Sequence, residues 1–249
     1  MMQKLFAAAL FAAVAIAPNF AAAAEEGVKL DPAPIDVANR ASLQAGARTF
    51  VNYCLGCHSL SLVRYNALTQ IGLSEEQIKD NLMFTADKVG EPMASAMTKK
   101  EGKTWFGAAP PDLSVIGRSR GADWLYTYLR GFYRDPTTQT GWNNVAFPNV
   151  GMPHVMWRLQ GERALVKPEA GKDGHAPAGA ALKFVQLTPG TQTANEFDAT
   201  VRDLVAFLAW ASDPTQLKRK QIGVIVLLAL TLLAFVSWLL YKEYWKDVH

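Results

Sequence analysis

Cys54-Leu55-Gly56-Cys57-His58 is the stretch on which the reading of this chain turns. A Cys-x-x-Cys-His run is the attachment signature of a c-type haem. Two thiols one turn apart can add to the two vinyl groups of a porphyrin, and the imidazole of the next residue can then be held under the iron. The porphyrin is rigid, so the spacing of its anchors is part of the chemistry. Five residues are a short match. The rest of the chain has to supply a compartment where haem is attached, a second axial ligand and a fold that closes over the ring.

On the N-terminal side, Leu43, Ala47, Phe50, Val51 and Cys54 fall along one helical face. They predict a helix that begins near Asn39 or Ser42 and runs into the motif. Asp31-Pro32-Ala33-Pro34 removes backbone donors and disfavours helix, so residues 25–38 read as an extended leader. Farther back, Lys4, the apolar run from Leu5 to Ile16 and Ala22-Ala23-Ala24 read as an export signal over residues 1–24, cleaved before Glu25. Export implies an oxidising compartment. Cys54 and Cys57 are the only cysteines in 249 residues, so if both carry haem none remains for a disulfide.

On the C-terminal side, Ser59–Tyr65 is short and amphipathic. Ser74-Glu75-Glu76-Gln77 has the form of a capping box, and Ile78 and Leu82 follow it, which predicts a helix over Glu75–Phe84. Residues 86–104 are Lys-rich and lack periodicity, as a surface loop would be. Trp105 to Ser114 contains Pro110-Pro111 and reads as a rigid extended segment suited to the wall of a haem crevice. Arg118 and Arg120 follow, and a planar guanidinium near a haem can pair with a propionate. A helix is expected over Ala122–Phe132, with Trp124, Leu125, Tyr128 and Leu129 as its buried stripe.

The second ligand should lie beyond that helix. Met152 sits in Phe147-Pro148-Asn149-Val150-Gly151-Met152-Pro153, an apolar loop stiffened by two prolines. A thioether is a neutral ligand that raises the potential, and it needs a backbone that cannot relax away. Met152 fits that requirement best. Met156 is its nearest competitor, and His154 would give bis-His ligation.

Arg163–Lys167 and Leu182–Leu187 are short strand-like runs around a Gly/Ala/Pro/Asp tract that includes His175, and they read as an irregular hairpin. Thr193-Ala194-Asn195-Glu196 is a second capping box. Phe197, Val201, Leu204, Val205 and Leu208 make a helical stripe that ends before Asp213-Pro214. This helix and the one before the haem motif could pack on each other.

Ile222–Leu240 is an uncharged apolar run. At about 1.5 Å per residue it matches a hydrocarbon core of ~30 Å, and Trp238, Tyr241, Tyr244 and Trp245 form an aromatic belt at its far end. The expected organisation is a domain over 25–217 outside the cytoplasmic membrane, an anchor over 218–241 and a cytoplasmic tail over 242–249. Lys218-Arg219-Lys220 on the outer side leaves the positive-inside bias weak or reversed. The net charge of +3 gives no pull toward nucleic acid.

In this order, the export signal, Cys-x-x-Cys-His on an early helix, Pro-Pro-Asp-Leu-Ser followed by Arg-x-Arg, the Gly-Met-Pro loop, a helix ending Phe-Leu-Ala-Trp-Ala-Ser-Asp-Pro and one terminal membrane helix resemble the bacterial cytochrome c1 family. The resemblance covers essentially the whole mature chain. It implies a mainly α fold: a cytochrome c-type haem domain with a small hairpin insertion and one C-terminal transmembrane helix. It implies a single covalent haem c on Cys54 and Cys57, with His58 and Met152 as iron ligands and Arg120 at a propionate. It also implies a subunit of a dimeric quinol–cytochrome c oxidoreductase that takes electrons from a Rieske iron–sulfur protein beside cytochrome b and passes them to a cytochrome c. Some members of the family carry an extra disulfide, for which this chain has no cysteines. Two other readings remain open from the residues: an independent membrane-tethered carrier, and a thiol–disulfide oxidoreductase built on Cys54 and Cys57. A zinc site is weaker, because no second ligand pair exists.

Overall fold

Two helices far apart in sequence make the core of the fold. The computed structural model describes residues 28–166 and 183–247. The export signal expected over 1–24, the hairpin tip with His175 and the last two residues of the tail lie outside the described residues.

Helix α1 (Arg40–Tyr53) is capped by Asn39, whose side chain accepts from the Ser42 amide. It buries Leu43, Ala47, Phe50 and Val51, the stripe its periodicity predicts. Those residues meet helix α7 (Ala194–Ser212), which opens on the Thr193–Glu196 capping box and buries Val201, Leu204, Val205, Phe207 and Leu208. The Phe50 and Phe207 rings lie 5.8 Å apart. Each fully buried side chain of this size contributes about 1.5–3 kcal/mol. The helices touch backbone to backbone at Gly46, where a Cβ would lie 2.0 Å from the Asp203 carbonyl oxygen. Ser42 Oγ donates to Asp203 Oδ1 across the same crossing at 2.6 Å. The expected pairing of the two terminal helices is therefore the organising contact of the domain.

The elements between them are short. Strand β1 (Leu60–Arg64) leads into a 3₁₀ turn (Tyr65–Ile71) and helix α2 (Glu75–Asn81), whose Ser74–Gln77 capping box forms as expected. The helix ends at Asn81 and not at Phe84. Residues 86–104 are not a plain surface loop. They contain strand β2 (Pro92–Met93), paired antiparallel with β1 so that Leu60 faces Met93, and helix α3 (Lys99–Phe106). A Thr98–Glu101 capping box starts α3, so Trp105 and Phe106 belong to its last turn and the extended segment begins after them.

Helix α4 (Ile116–Ser119) lies against α7, where a Cβ on Gly117 would meet Ala209 Cα at 2.8 Å. Helix α5 (Ala122–Arg130) stops two residues short of Phe132, which opens strand β3 (Phe132–Arg134), paired with β4 (Trp142–Asn144). Its buried residues are Leu125, Tyr126, Thr127 and Leu129, and Trp124 and Tyr128 are half-buried against the edge of the same core. The leader docks on this helix: the Asp31 amide donates to Thr127 Oγ1 and the Ala33 amide to Asp123 Oδ1, each at 2.8 Å.

After a short helix α6 (Trp157–Gln160), strands β5 (Gly161–Val166) and β6 (Lys183–Pro189) form the expected antiparallel hairpin, with one irregularity between Glu162 and Arg163. The last helix, α8 (Gln216–Tyr244), runs 29 residues with a mean hydropathy of 2.7 in its most apolar window, none of it buried against the rest of the chain. Such a helix is long and apolar enough to cross a bilayer. It starts before the apolar run, so Lys218, Arg219 and Lys220 lie in its first turns. Among the described residues helices dominate, and the mainly α class with one candidate C-terminal transmembrane helix stands.

Candidate functional site

The Cys-x-x-Cys-His stretch is a tight turn at the C-terminal end of α1. Cys54 is the helix cap, and the amides of Cys57 and His58 both donate to its carbonyl, at 3.0 and 2.8 Å. Cys54 is 7% exposed and Leu55 1%, while Cys57 and His58 are half-buried. Both cysteines are free. Burial, with a smaller contribution from Cys57, pushes the Cys54 thiol up to about 12. A thiol-exchange nucleophile needs the opposite: a lowered pKa, as at a helix N-terminus. The motif occupies a helix C-terminus in an apolar seat, which suits a thioether and not a thiolate.

His58 is oriented by one contact. Its Nδ1 lies 2.7 Å from the Pro111 carbonyl oxygen. A carbonyl only accepts, so Nδ1 carries the proton and Nε2 keeps its lone pair. That is the tautomer of a metal-ligating histidine whose other nitrogen is held by a backbone acceptor. Burial also lowers the His58 pKa, against smaller opposing effects of the Pro111 carbonyl and the Asp112 carboxylate, which favours the neutral, ligating ring.

Pro111 is fixed in turn. Asp112 Oδ2 accepts from the Ser61 amide and Oδ1 from the Ser114 amide, the Leu62 amide donates to Ser114 Oγ, and the Leu113 amide donates to the Ser59 carbonyl. From the other side, Ser95 Oγ donates to the Gly56 carbonyl at 2.8 Å while its own amide donates to Ser59 Oγ. The turn is thus clamped between two segments far away in sequence. Spacing suggested the stiffness of Pro110-Pro111 but not its role as the acceptor for His58.

Met152 is half-buried. Its Sδ accepts a hydrogen bond from the Tyr128 hydroxyl at 3.3 Å. The loop before it is shaped by Asn149, whose φ of 60° is the only positive value at a non-glycine among the described residues, and by Asn143 Oδ1, which accepts from the Asn149 amide at 2.8 Å. Helix α3 links this loop to the His58 side. A Cβ on Gly151 would touch the Phe106 carbonyl at 3.4 Å, and a Cβ on Gly102 would come within 2.5 Å of Pro110 Cδ. The helix that periodicity missed therefore spans from the proline segment behind His58 to the loop that carries Met152.

The two competitors of Met152 lie elsewhere. Met156 is 1% exposed within the main core. His154 is 2% exposed, stacked on Phe132 at 4.9 Å and edge-on to Trp142 and Phe197. Burial pulls His154 down to about 4. Gln160 lies alongside, yet neither ring nitrogen nor Gln160 Oε1 makes a hydrogen bond of sound geometry.

The two arginines separate. Arg118 Nη1 lies 3.6 Å from Asp213 Oδ2, which also takes Arg219 Nη2 at 2.5 Å. Arg120 makes no ion pair among the described residues, and its guanidinium sits 5.0 Å over the Trp124 ring. Trp105, Val115 and Phe147 add exposed apolar surface on the segments around the site.

The donor set fits a haem. It offers two unpaired cysteines on a fixed turn, an imidazole with the correct nitrogen available, a thioether on a braced loop and an arginine free of a carboxylate partner. The described residues hold no cluster of three or more His, Cys, Asp or Glu side chains suited to a bare metal ion.

Comparison with known proteins points the same way. Residues 33–248 match the Cytochrome C1 family. The chain is 44% identical to the cytochrome c1 of Allochromatium vinosum, across 100% of both chains. It is 47% identical to a Nitrosomonas europaea protein named ammonia monooxygenase gamma subunit, over 96% of this chain and 97% of that one. It is 30% identical to the cytochrome c1 of Rhodospirillum rubrum, over 83% of this chain and 81% of that one.

Proposed function

Because the chain belongs to the cytochrome c1 family, we propose that it relays single electrons through one covalently bound haem c, from a Rieske iron–sulfur protein to a cytochrome c, within a quinol-oxidising complex. Cys54 and Cys57 would hold the porphyrin edge, and His58 and Met152 would take the two axial positions. Arg120 would face a propionate. The haem, when bound, supplies the one-electron couple.

The observation that carries this reading is the His58–Pro111 contact at 2.7 Å. It fixes the imidazole in the ligating tautomer immediately after two unpaired thiols. The protein's own part is to orient, cover and tune. The α1 turn and the Asp112 clamp hold His58. The α3 bridge and the Asn149 turn hold Met152. The apolar surroundings of Cys54 and Leu55 would keep water from a porphyrin edge held there.

Residues 25–217 would lie in the periplasm after removal of the signal over 1–24. Helix α8 would anchor them in the inner membrane, with residues 242–249 in the cytoplasm. Cytochrome b and a second copy of the complex are partners implied by the family.

The experiment is a pyridine haemochrome assay on the purified protein, followed by purification in mild detergent. One haem c per chain and co-elution with a b-type haem and an iron–sulfur protein are the expected results. A haem c chain that elutes alone would make it an independent tethered carrier. Co-elution with an ammonia-oxidising activity would assign it to the company named for the Nitrosomonas relative. Two alkylatable thiols and no haem would overturn the reading.

A further inference from the structure

Arg120, Trp124 and Tyr128 recur every fourth residue and form a column along one side of the site. The Arg120 guanidinium covers the Trp124 ring, and that ring stacks on Tyr128 at 4.8 Å with 11° between their planes. The column ends on Met152, with the Tyr128 hydroxyl 3.3 Å from its sulfur. Tyr128 is braced on its other side by the edge of Phe132, at 5.2 Å between centroids, and its carbonyl accepts from Asn144 Nδ2 at 2.7 Å. The ring therefore has little freedom, and its hydroxyl makes no other hydrogen bond among the described residues. A thioether has no proton to give and a phenol keeps its own at neutral pH, so the hydroxyl is the donor.

We propose that Tyr128 is a positioning residue for Met152: its hydroxyl occupies one sulfur lone pair, aims the other at the iron and withdraws electron density from the thioether. The inference rests on Met152 being the axial ligand. A thioether sulfur has two lone pairs, so one can accept from Tyr128 while the other binds metal. A hydrogen-bonded sulfur is a weaker electron donor. Ferric iron depends on donation more than ferrous iron does, so the contact favours the reduced state and loosens the ferric iron–sulfur bond. Axial-ligand strength and its hydrogen bonding are established controls on haem potential.

Two effects of opposite character follow, and together they separate tuning from packing. Removing only the hydroxyl should lower the potential and at the same time make Met152 harder to displace from ferric iron. A residue that merely fills space would, when trimmed, loosen the loop and make displacement easier.

The test compares wild type, Tyr128→Phe and Tyr128→Leu as purified full-length holoprotein in detergent. A redox titration gives the potential, and a cyanide titration of the oxidised protein gives the ease of displacing Met152. Each equilibrium senses only the difference in this bond between its two states, so a hydrogen bond of about 1 kcal/mol sets a ceiling of roughly fivefold on each shift for Tyr128→Phe. For the one-electron couple that is a fall of up to ~40 mV. Cyanide should bind Tyr128→Phe up to about fivefold more weakly. Tyr128→Leu, which also loses the stacking, should bind cyanide more tightly than Tyr128→Phe does. A Tyr128→Phe protein with wild-type potential and cyanide affinity would overturn the proposal, as would one that binds cyanide more tightly than wild type. Failure of the underlying reading looks different: the oxidised wild type would then lack the far-red methionine–iron charge-transfer band altogether.

Discussion

Replacing Gly46 with alanine sets two effects against each other, and the structure decides between them. Alanine in a helix interior is favoured over glycine by about 1 kcal/mol. The new Cβ would, however, stand 2.0 Å from the Asp203 carbonyl oxygen and 2.7 Å from Phe207 Cβ. Ordinary contact needs about 3.5 Å. The obstructing atoms belong to the backbone and to the root of a buried side chain, so neither can swing away. Helices α1 and α7 must part, which weakens the packing of Phe50 on Phe207 and the Ser42–Asp203 bond. Overpacking of this kind costs about 1–3 kcal/mol, and a backbone obstacle belongs at the upper end. Net of the propensity gain, Gly46→Ala should lose about 2 kcal/mol. For a domain of this size that lowers Tm by roughly 4–8 °C. The assay is a thermal melt of the holoprotein in detergent, followed in the Soret band and by circular dichroism. Gly90→Ala is the matched control: no atom outside its chain neighbours lies within 4 Å of its added Cβ, and it should change stability by less than about 0.5 kcal/mol. A Gly46→Ala protein as stable as its parent, or more so, would mean that propensity wins and that the helices do not cross as closely as described.

Met152→Leu should lower the potential and admit cyanide or carbon monoxide to the iron; an unchanged reduced spectrum and potential would remove Met152 from the site. Thr98→Ala breaks the capping box of α3 and should cost about 1 kcal/mol. Because α3 braces the Met152 loop, the same variant should bind cyanide more tightly when oxidised, and titration would show no change if the brace is irrelevant. Arg120→Gln removes a positive charge from the proposed propionate and should lower the potential, as read by redox titration. Maleimide labelling of the denatured holoprotein should find no free thiol, and labelling at both cysteines would exclude covalent haem.

Local rules recovered the parts of the fold that local chemistry controls. Ser74–Gln77 and Thr193–Glu196 marked helix starts because the capping residues and the apolar stripe lie within a few turns of each other. Thr98–Glu101 has the same form, yet its helix was missed. Lys99, Lys100, Lys103 and Thr104 give it no apolar stripe, and what seats it is Gly102 against Pro110, a close approach of glycine that periodicity cannot register. The β1–β2 pair was invisible for a related reason: Leu60 and Met93 meet across a long separation, and two residues of strand leave no alternation to detect. At the site, Cys54, Cys57 and His58 could be read as a motif. The acceptor for His58 and the donor to Met152 could not, because Pro111 and Tyr128 are ordinary residues that acquire their roles by placement. Trp124 and Tyr128 share helical spacing with Leu125 and Leu129 and pack against the same core at its margin, where they stay half-buried.

The junction between α7 and α8 bears on how the last helix is set against the rest of the chain. Only Asp213, Pro214 and Thr215 separate the two helices, and Asp213 receives Arg118 from the end of α4 and Arg219 from the first turn of α8. A carboxylate gripped from both sides of a three-residue joint resists torsion as a pin does in a short lever. Both arginines are more than half exposed, so the two pairs bias the angle between α7 and α8 and do not lock it. If the chain relays electrons as proposed, that bias would leave much of the approach to the haem edge to the donor and the acceptor.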